Sequence, residues 1–526
     1  MTAVRRIALV GLSGTGKTTI APLIAERLGW SSVDLDEEIA SSTGHPPGKI
    51  IANDGEPRFR DLELAALESA LRRPGPLVIA CGGGLIAQPA ARRLLTELCT
   101  VVWLDAPDAV LFQRLGDGAD RPMLGGDAAS GIPMLRSSRA RAHQSAHVRI
   151  NADDTPAAVA SRVLSALEGT VRVNLAERGY HIEVRPGALD DVVLHVPGGA
   201  TRVALIADQA VSSVAERLVA SLRSAGVATT VLELTGGESL KTWAAAGEML
   251  ERLGAAGLQR NDCVVALGGG TVGDLAGFVA AVYLRGIAWV NVPTTLLAMV
   301  DSAIGGKTGV NLAHGKNLAG AIWQPRAVIC DPDVLATQDD RSFRSAFAEI
   351  VKYSMITGTP LARDLDSRLE TLMKRDRDAL TATVRECCGI KADIVSGDER
   401  EAGGRAVLNY GHTAGHAFEA AAGLGETLLH GEAVAVGMRV AGRLSIRKLG
   451  CPAGDIDWQD EMIVRCGLPM TLAFDTQRVL SFMRADKKTT ADRLGWVLID
   501  AKGHARPGQV VPDAEVLEAL EAVRAR

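Results

Sequence analysis

Gly11-Leu-Ser-Gly14-Thr15-Gly16-Lys17-Thr18 has the spacing GxxxxGK[ST] and sits between a short apolar run, Ile7 to Val10, and a helical pattern. In that setting glycines let backbone N–H groups approach phosphate oxygens, the lysine places a cation at the β/γ end, and the threonine hydroxyl can hold magnesium. Gly14 through Thr19 are therefore the candidate ATP cradle, with Lys17 also acting in catalysis. No NKxD-type guanine signal occurs, so ATP is the expected nucleotide. The bland alternative is a tight strand-to-helix turn. Downstream, Asp34-Leu35-Asp36 sets two carboxylates on one side of a segment expected to be extended, one for magnesium and one to bind or deprotonate a hydroxyl. Arg58 and Arg60 supply guanidinium groups, Gly82-Gly83-Gly84 follows an apolar run, and Arg121 lies in a Gly- and Asp-rich loop. That set suits a small polyol bearing a carboxylate.

A second chemistry lies in the other half. His412-Thr-Ala-Gly-His416 spaces two imidazoles at i and i+4, and His430 follows. On a helix the first two share a face, which suits two metal ligands or one ligand beside a base. Thr413 stands where an HExxH motif has glutamate, so an oxygen ligand must come from elsewhere, and Glu349 is the best candidate for a His2Glu zinc site with an open position. Polar helix surface is the competing reading. Glu401, Arg405 and Lys391 crowd charge around the same stretch. Gly268-Gly269-Gly270-Thr-Val-Gly273-Asp274 follows an apolar run and satisfies GxGxxG, although the acidic residue expected some 20 positions on is absent. Glu238, Lys241, Thr294, Thr295, Asp301, Lys316 and Asn317 add polar groups near predicted strand ends, where open α/β sheets bind ligands.

The elements that must position these groups follow from hydrophobic period. Apolar runs at Ile7 to Val10, Leu77 to Ala80 and Val101 to Leu104 alternate with helical stretches, predicting a parallel α/β domain that ends near Leu167. A second α/β pattern starts at Val171, with runs at Val203 to Ala207, Thr230 to Leu234, Cys263 to Leu267 and Trp289 to Val292. From about Phe343 helical patterns dominate, apart from a hairpin expected around Arg493 to Asp500. The expected fold class is α/β: a P-loop parallel-sheet kinase domain over 1–168, a Rossmann-like α/β part over 171–340 and a mostly helical metal-binding part over 341–526. Gly169 marks the join.

At 526 residues the chain exceeds one ordinary core. With 47% hydrophobic and 23% charged residues and a formal charge of −5 without long single-sign runs, neither disorder nor binding to nucleic acid or anionic membrane is expected. Eight scattered cysteines without CxxC spacing or a secretory signal predict reduced thiols and a cytoplasmic setting; the neighbours Cys387 and Cys388 read as buried packing. Arg285 and Asp301 interrupt the longest apolar stretches short of the roughly 18 residues a membrane helix needs.

Over positions 5 to 167 the chain resembles shikimate kinase. The resemblance implies that Thr18 and Asp34 serve magnesium, that Asp36, Arg60, Gly82, Gly83, Gly84 and Arg139 hold shikimate, that Asp36 orients or deprotonates its 3-hydroxyl, and that Arg121 belongs to a lid over ATP. One departure is His143, where the family usually has tyrosine; the lid segment is also Gly/Ala-rich.

Over about 171 to 510 the chain resembles 3-dehydroquinate synthase. That implies transient oxidation of one hydroxyl of 3-deoxy-arabino-heptulosonate 7-phosphate by NAD, loss of phosphate, reduction back, ring opening and aldol closure. By the same resemblance Glu349, His412 and His430 bind zinc, with cobalt a possible substitute. Arg285, Asp301, Lys307, Lys352, Lys391, Arg405, Asn409 and the Lys487-Lys488 pair bind the substrate, while Glu401, His416 and Lys307 are catalytic candidates. The dinucleotide falls to Asp208, Glu238, Lys241, Gly269, Gly270 and Asp274, and to Thr294, Thr295, Lys316, Asn317 and Thr337. A homodimer through this half is implied as well. Ala346 stands where the family usually has glycine, and Gln209 follows Asp208 where asparagine-bearing turns are common. The competing reading is another small-polyol kinase, such as a gluconate or nucleoside monophosphate kinase, fused to a different sugar-phosphate cyclase or a polyol dehydrogenase. A non-enzymatic nucleotide-binding module is a third.

Overall fold

Strands buried on both faces read as continuous apolar runs, and the expected runs form strands. The computed structural model describes residues 6–116, 128–143, 145–175, 178–235, 237–312, 315–401, 403–423, 427–485 and 495–525. The chain divides into two compact units, Met1–His181 with Leu194–Gly199, and Ile182–Val193 with Ala200–Arg526.

In the first unit five parallel strands lie in the order Ser31–Asp34, Leu77–Ala80, Arg6–Val10, Thr100–Asp105, Val148–Asn151. Ile7 and Leu9 pack on one face with Ile20, Ile24 and Val163, while Ala8 and Val10 pack on the other with Leu67 and Leu95. The central strand delivers its C-terminal end to the Gly-rich turn that opens the Lys17–Leu28 helix. Gly11 has φ +146, and a Cβ there would lie 2.3 Å from Leu104 O, so the turn requires glycine. The expected extended segment through Asp34 and Asp36 is corrected. The strand stops at Asp34, whose carboxylate caps the Leu35–Thr43 helix by accepting from Asp36 N and Glu37 N. Asp36 therefore stands on the first helical turn, because an aspartate at an N-cap satisfies orphan N–H groups that a longer strand would leave elsewhere.

In the second unit parallel strands run Ala327–Cys330, Ala288–Pro293, Cys263–Gly268, Arg202–Asp208, Ala228–Leu234 in spatial order. The Gly270–Val282 helix begins where the central strand ends. An antiparallel hairpin, Lys307–Leu312 with Gly315–Ile322, was not foreseen. Helices dominate from Asp340, including Phe347–Ile356, Arg377–Gly397, His412–Ala422 and His430–Leu449. The late hairpin pairs Gly495–Ala501 with His504–Val510. All eight cysteines are free and buried. Among the described residues no helix is long and apolar enough to cross a membrane.

Candidate functional sites

The first site lies at the C-terminal ends of the first unit's strands, in a cavity of about 490 Å³ that takes in the loop from Ser13 to Thr19 together with Asp34 and Asp36. Lys17 Nζ donates to Gly11 O at 2.8 Å and Leu12 O at 2.9 Å, folding the ammonium over the turn. Thr18 Oγ1 donates to Asp34 Oδ2 at 2.6 Å, which places hydroxyl and carboxylate where they can share a magnesium shell. Arg114 closes the far side, donating to Gly14 O at 3.3 Å and Ala152 O at 3.0 Å.

Next to the phosphate cradle Asp36, Arg60, Gly82 to Gly84 and Arg139 come together. A Cβ on Gly82 would lie 2.9 Å from Asp36 Oδ1, and one on Gly84 would lie 2.5 Å from an Arg60 nitrogen, so the Gly triplet is bare backbone facing both groups. Arg139 donates to Gly83 O at 2.8 Å. Burial, and then the neighbouring Arg60 charge, lowers the Arg139 guanidinium. Two cations held close in a partly buried site suit a carboxylate between them. Glu63, on the same Glu56–Arg72 helix as Arg60, pairs with Arg60 at 2.5 Å and accepts from Gln88 at 3.0 Å. Burial pushes its carboxyl up, and Asp36 nearby adds to that. His143 is buried and stacked on Trp103 with ring centroids 5.3 Å apart. Burial, with Lys17 and Arg139 beside it, pulls its imidazole down to about 4. Arg121 lies outside the described residues.

The second unit gathers a dinucleotide-sized set around the Gly268–Gly270 turn. A Cβ on Gly269 would sit 3.3 Å from the Thr295 methyl, so the backbone of one strand end faces Thr294 and Thr295 after the next. Lys241 ion-pairs with Asp274, whose carboxyl burial pushes up against the lysine's pull. Glu238 accepts from Thr271 Oγ1 at 3.2 Å and from Asn311 Nδ2 at 2.8 Å, and Asn311 Oδ1 takes Asn317 N at 2.9 Å. The unforeseen hairpin thus carries Lys307, Lys316 and Asn317 to the strand ends. Asp208 closes its strand by accepting from Ala210 N at 3.0 Å. Thr337 returns its hydroxyl to Val334 O, and Arg285 is exposed; among the described residues no side-chain contact ties either to this cluster.

Beyond that turn lies the metal candidate. Glu349 is fully buried on Phe347–Ile356, and ligand atoms of Glu349, His412 and His430 lie within 4.8 Å of one another. His412 Nε2 and His430 Nε2 stand 3.5 and 3.8 Å from Glu349 Oε1. Neither Glu349 oxygen accepts a hydrogen bond, although the Lys352 ammonium lies against Oε2 as an ion pair. A buried carboxylate and two imidazole nitrogens converging within ligand reach of one another form a donor set that a zinc-like cation fits. Asp301 leads on from it: Lys391 Nζ donates to its Oδ1 at 2.7 Å and its carbonyl at 2.6 Å, Tyr353 OH donates to Oδ1 at 3.0 Å, and Lys352 Nζ is 4.0 Å away. Burial would raise the Asp301 carboxyl, but Lys391 and Lys352 hold it well below the usual range. Glu401 sits in the left-handed region at φ 59, ion-paired with Lys307 and accepting from Asn409 Nδ2 at 3.1 Å. Arg405 packs under Gly305, where a Cβ would meet its guanidinium at 2.3 Å. Lys352, Lys391 and Arg405 are all buried beside this set; with Lys352 on Glu349 and Lys391 on Asp301, three cations against two carboxylates leave a positive charge suited to a phosphorylated acid. The His416 ring lies 5.3 Å from His412. Lys487 and Lys488 lie outside the described residues.

Sequence reading missed Glu63, Arg114, Asn311 and Glu419. Glu419 accepts from His430 Nδ1 at 3.3 Å and pairs with Lys316 at 3.1 Å. Its signal was present: 412, 416 and 419 are spaced four and three, one face of a helix.

A 3-dehydroquinate synthase N-terminal family model matches residues 231–345, the C-terminal model of the same family matches 346–489, and a shikimate kinase model matches 13–168. The chain is 44% identical over 346 residues to the 3-dehydroquinate synthase of Caulobacter vibrioides, spanning 64% of this chain and 94% of that protein. Among solved structures it is similar to a 2-deoxy-scyllo-inosose synthase complexed with carbaglucose-6-phosphate, NAD+ and Co2+, at 27% identity and TM-score 0.63 over 67% of this chain and 100% of that one. It is also similar to the 2-epi-5-epi-valiolone synthase of Streptomyces hygroscopicus subsp. jinggangensis with NAD+ and Zn2+ bound, at 26% identity and TM-score 0.60 over 65% and 96%.

Proposed function

Because the chain belongs to the 3-dehydroquinate synthase family and carries a shikimate kinase domain ahead of that region, we propose that it catalyses two reactions of the shikimate pathway. The first is ATP-dependent 3-phosphorylation of shikimate. The second converts 3-deoxy-arabino-heptulosonate 7-phosphate to 3-dehydroquinate and phosphate. The observation that carries the synthase reading is the buried Glu349, His412 and His430 set flanked by Lys352, Lys391 and Arg405. A plain polyol dehydrogenase has no need of that positive charge.

In the kinase unit the Gly14–Thr19 loop and Lys17 bind the ATP phosphates, and Thr18 with Asp34 holds magnesium, which neutralises charge on the transferring phosphoryl group. Arg60 and Arg139 grip the shikimate carboxylate against the Gly82–Gly84 backbone. Asp36 takes or orients the proton of the attacking hydroxyl. Arg121 joins the ATP-binding set.

In the synthase unit NAD would supply reversible hydride acceptance, and zinc held by Glu349, His412 and His430 would polarise a substrate hydroxyl. Lys352, Lys391, Asn409 and Asp301 orient the substrate's hydroxyls, while Lys307, Arg405 and Lys488 neutralise the departing phosphate. Glu401 and His416 hold or move protons beside the substrate. Glu238, Lys241, Asp274 and the Gly269–Gly270 turn seat the dinucleotide. A homodimer and a cytoplasmic setting accompany this reading.

Two of the similar solved structures are a 2-deoxy-scyllo-inosose synthase and a 2-epi-5-epi-valiolone synthase, which keeps a different cyclase as the second reading. Substrate competition tests it: the full-length chain, given NAD and Zn2+, should release phosphate from 3-deoxy-arabino-heptulosonate 7-phosphate without accumulating NADH. Release from another hexose or heptose phosphate, with none from this one, would overturn the assignment. For the kinase, shikimate and not gluconate or a nucleoside monophosphate should stimulate ADP formation.

A further inference from the structure

We propose that Glu419 is the positioning residue that aims His430 at the metal, and that Lys316 clamps Glu419 from the dinucleotide side, so that one carboxylate couples the two sites. The inference rests on the metal reading above.

His430 opens the His430–Leu449 helix, which fixes its backbone but leaves the ring free to rotate. A ring with two nitrogens can bind a metal through either, and the hydrogen bond made by the other selects which. Here Nδ1 faces Glu419 Oε2 at 3.3 Å and Nε2 faces Glu349 Oε1 at 3.8 Å, so the carboxylate turns the Nε2 lone pair toward the Glu349 and His412 ligand atoms. Glu419 projects from the His412–Ala422 helix, seven residues after His412, so a single helix supplies one ligand and the orienter of another. Its second oxygen is not idle. Lys316 Nζ, reaching from the hairpin strand Gly315–Ile322, lies 3.1 Å from Oε1.

His416, Glu419 and His430 also lie close enough to be taken for a second cation site. The ammonium of Lys316 already lies against Glu419, and a cation there would have to displace it, so orientation accounts for the geometry better than a second metal. Because Lys316 adjoins Asn317, which Asn311 ties to Glu238 of the dinucleotide cluster, an anionic ligand there that draws its ammonium away leaves more of the Glu419 charge for His430. By thermodynamic reciprocity the metal and the dinucleotide then strengthen each other's binding by the same factor.

The test is Co2+ titration of the metal-free full-length protein, followed by the visible absorption of the bound ion, without and with NAD. Glu419→Gln keeps the side chain's shape and should weaken Co2+ binding by about ten- to a hundredfold, the usual cost of losing an outer-shell partner. Lys316→Ala, which leaves the whole Glu419 charge to His430, should tighten it by a smaller factor even with no NAD present, which a residue serving the dinucleotide alone would not do. NAD should tighten Co2+ binding in the parent and leave Glu419→Gln unmoved, with circular dichroism confirming that each variant is folded. Parent-like Co2+ affinity in both variants overturns the proposal while leaving the metal site standing. A parent that binds no Co2+ overturns the metal reading itself.

Discussion

Asp36 and the two arginines beside it carry the chemical argument in the first unit, because phosphoryl transfer needs little from the protein except placement and charge. Asp36→Asn is nearly isosteric and leaves Lys17, Thr18 and Asp34 in place. Steady-state kinetics should therefore show kcat falling by about 10²- to 10⁴-fold with the KM for ATP little changed. His143 gives a prediction of a different kind. Its imidazole sits at about 4 in the fold against 6.5 when free, so between those values the unfolded chain binds a proton that the folded chain does not. Stability of the first unit should be full above pH 6.5 and decline as pH falls toward 4, by on the order of 3 kcal/mol from this group. His143→Phe preserves the stack on Trp103 and should flatten that part of the pH–melting profile. At this scale the sequence displayed residue types far better than partners. Glu349 could be chosen as a ligand before any coordinates because a histidine pair without a glutamate between them demands an oxygen from elsewhere. Glu63 and Glu419 went unread because a glutamate on a helix is ordinarily solvated, and only the fold turns these two inward.

The two helices that carry the histidines meet backbone to backbone. A Cβ on Gly437 would lie 2.1 Å from Gly411 O and 2.8 Å from Gly415 N, atoms that no side-chain adjustment can move. Gly437→Ala should push His412–Ala422 away from His430–Leu449, costing about 1–3 kcal/mol of stability and weakening metal binding in the same variant; thermal melting and Co2+ titration read the two effects. Elements whose two faces are both buried were legible from their apolar runs, as at Leu77–Ala80 and Cys263–Gly268. Ala327–Cys330 escaped although its four residues are such a run, but others that escaped lack one. Ser31–Asp34 is four residues with two exposed serines, and the hairpin strands Lys307–Leu312 and Gly315–Ile322 mix glycine, alanine and asparagine among their apolar residues, with six of their fourteen residues exposed. Without the hairpin the sequence left unstated what brings Lys307, Lys316 and Asn317 onto one element, and the paired strands do so.

At the scale of the whole chain, each site is assembled within its own compact unit, and neither borrows a described residue from the other. Their chemistries should therefore be separable. Treatment with a strong zinc chelator, followed by restoration of Mg·ATP, should abolish phosphate release from 3-deoxy-arabino-heptulosonate 7-phosphate and spare shikimate-dependent ADP formation. The most direct test of a single chain holding two independent catalysts is to measure both rates on the purified full-length protein, on Asp36→Asn and on Glu349→Gln. The account predicts both activities in the parent, loss of the kinase alone in Asp36→Asn, and loss of the synthase alone in Glu349→Gln. A parent lacking either activity, or a variant that silences both, would contradict it.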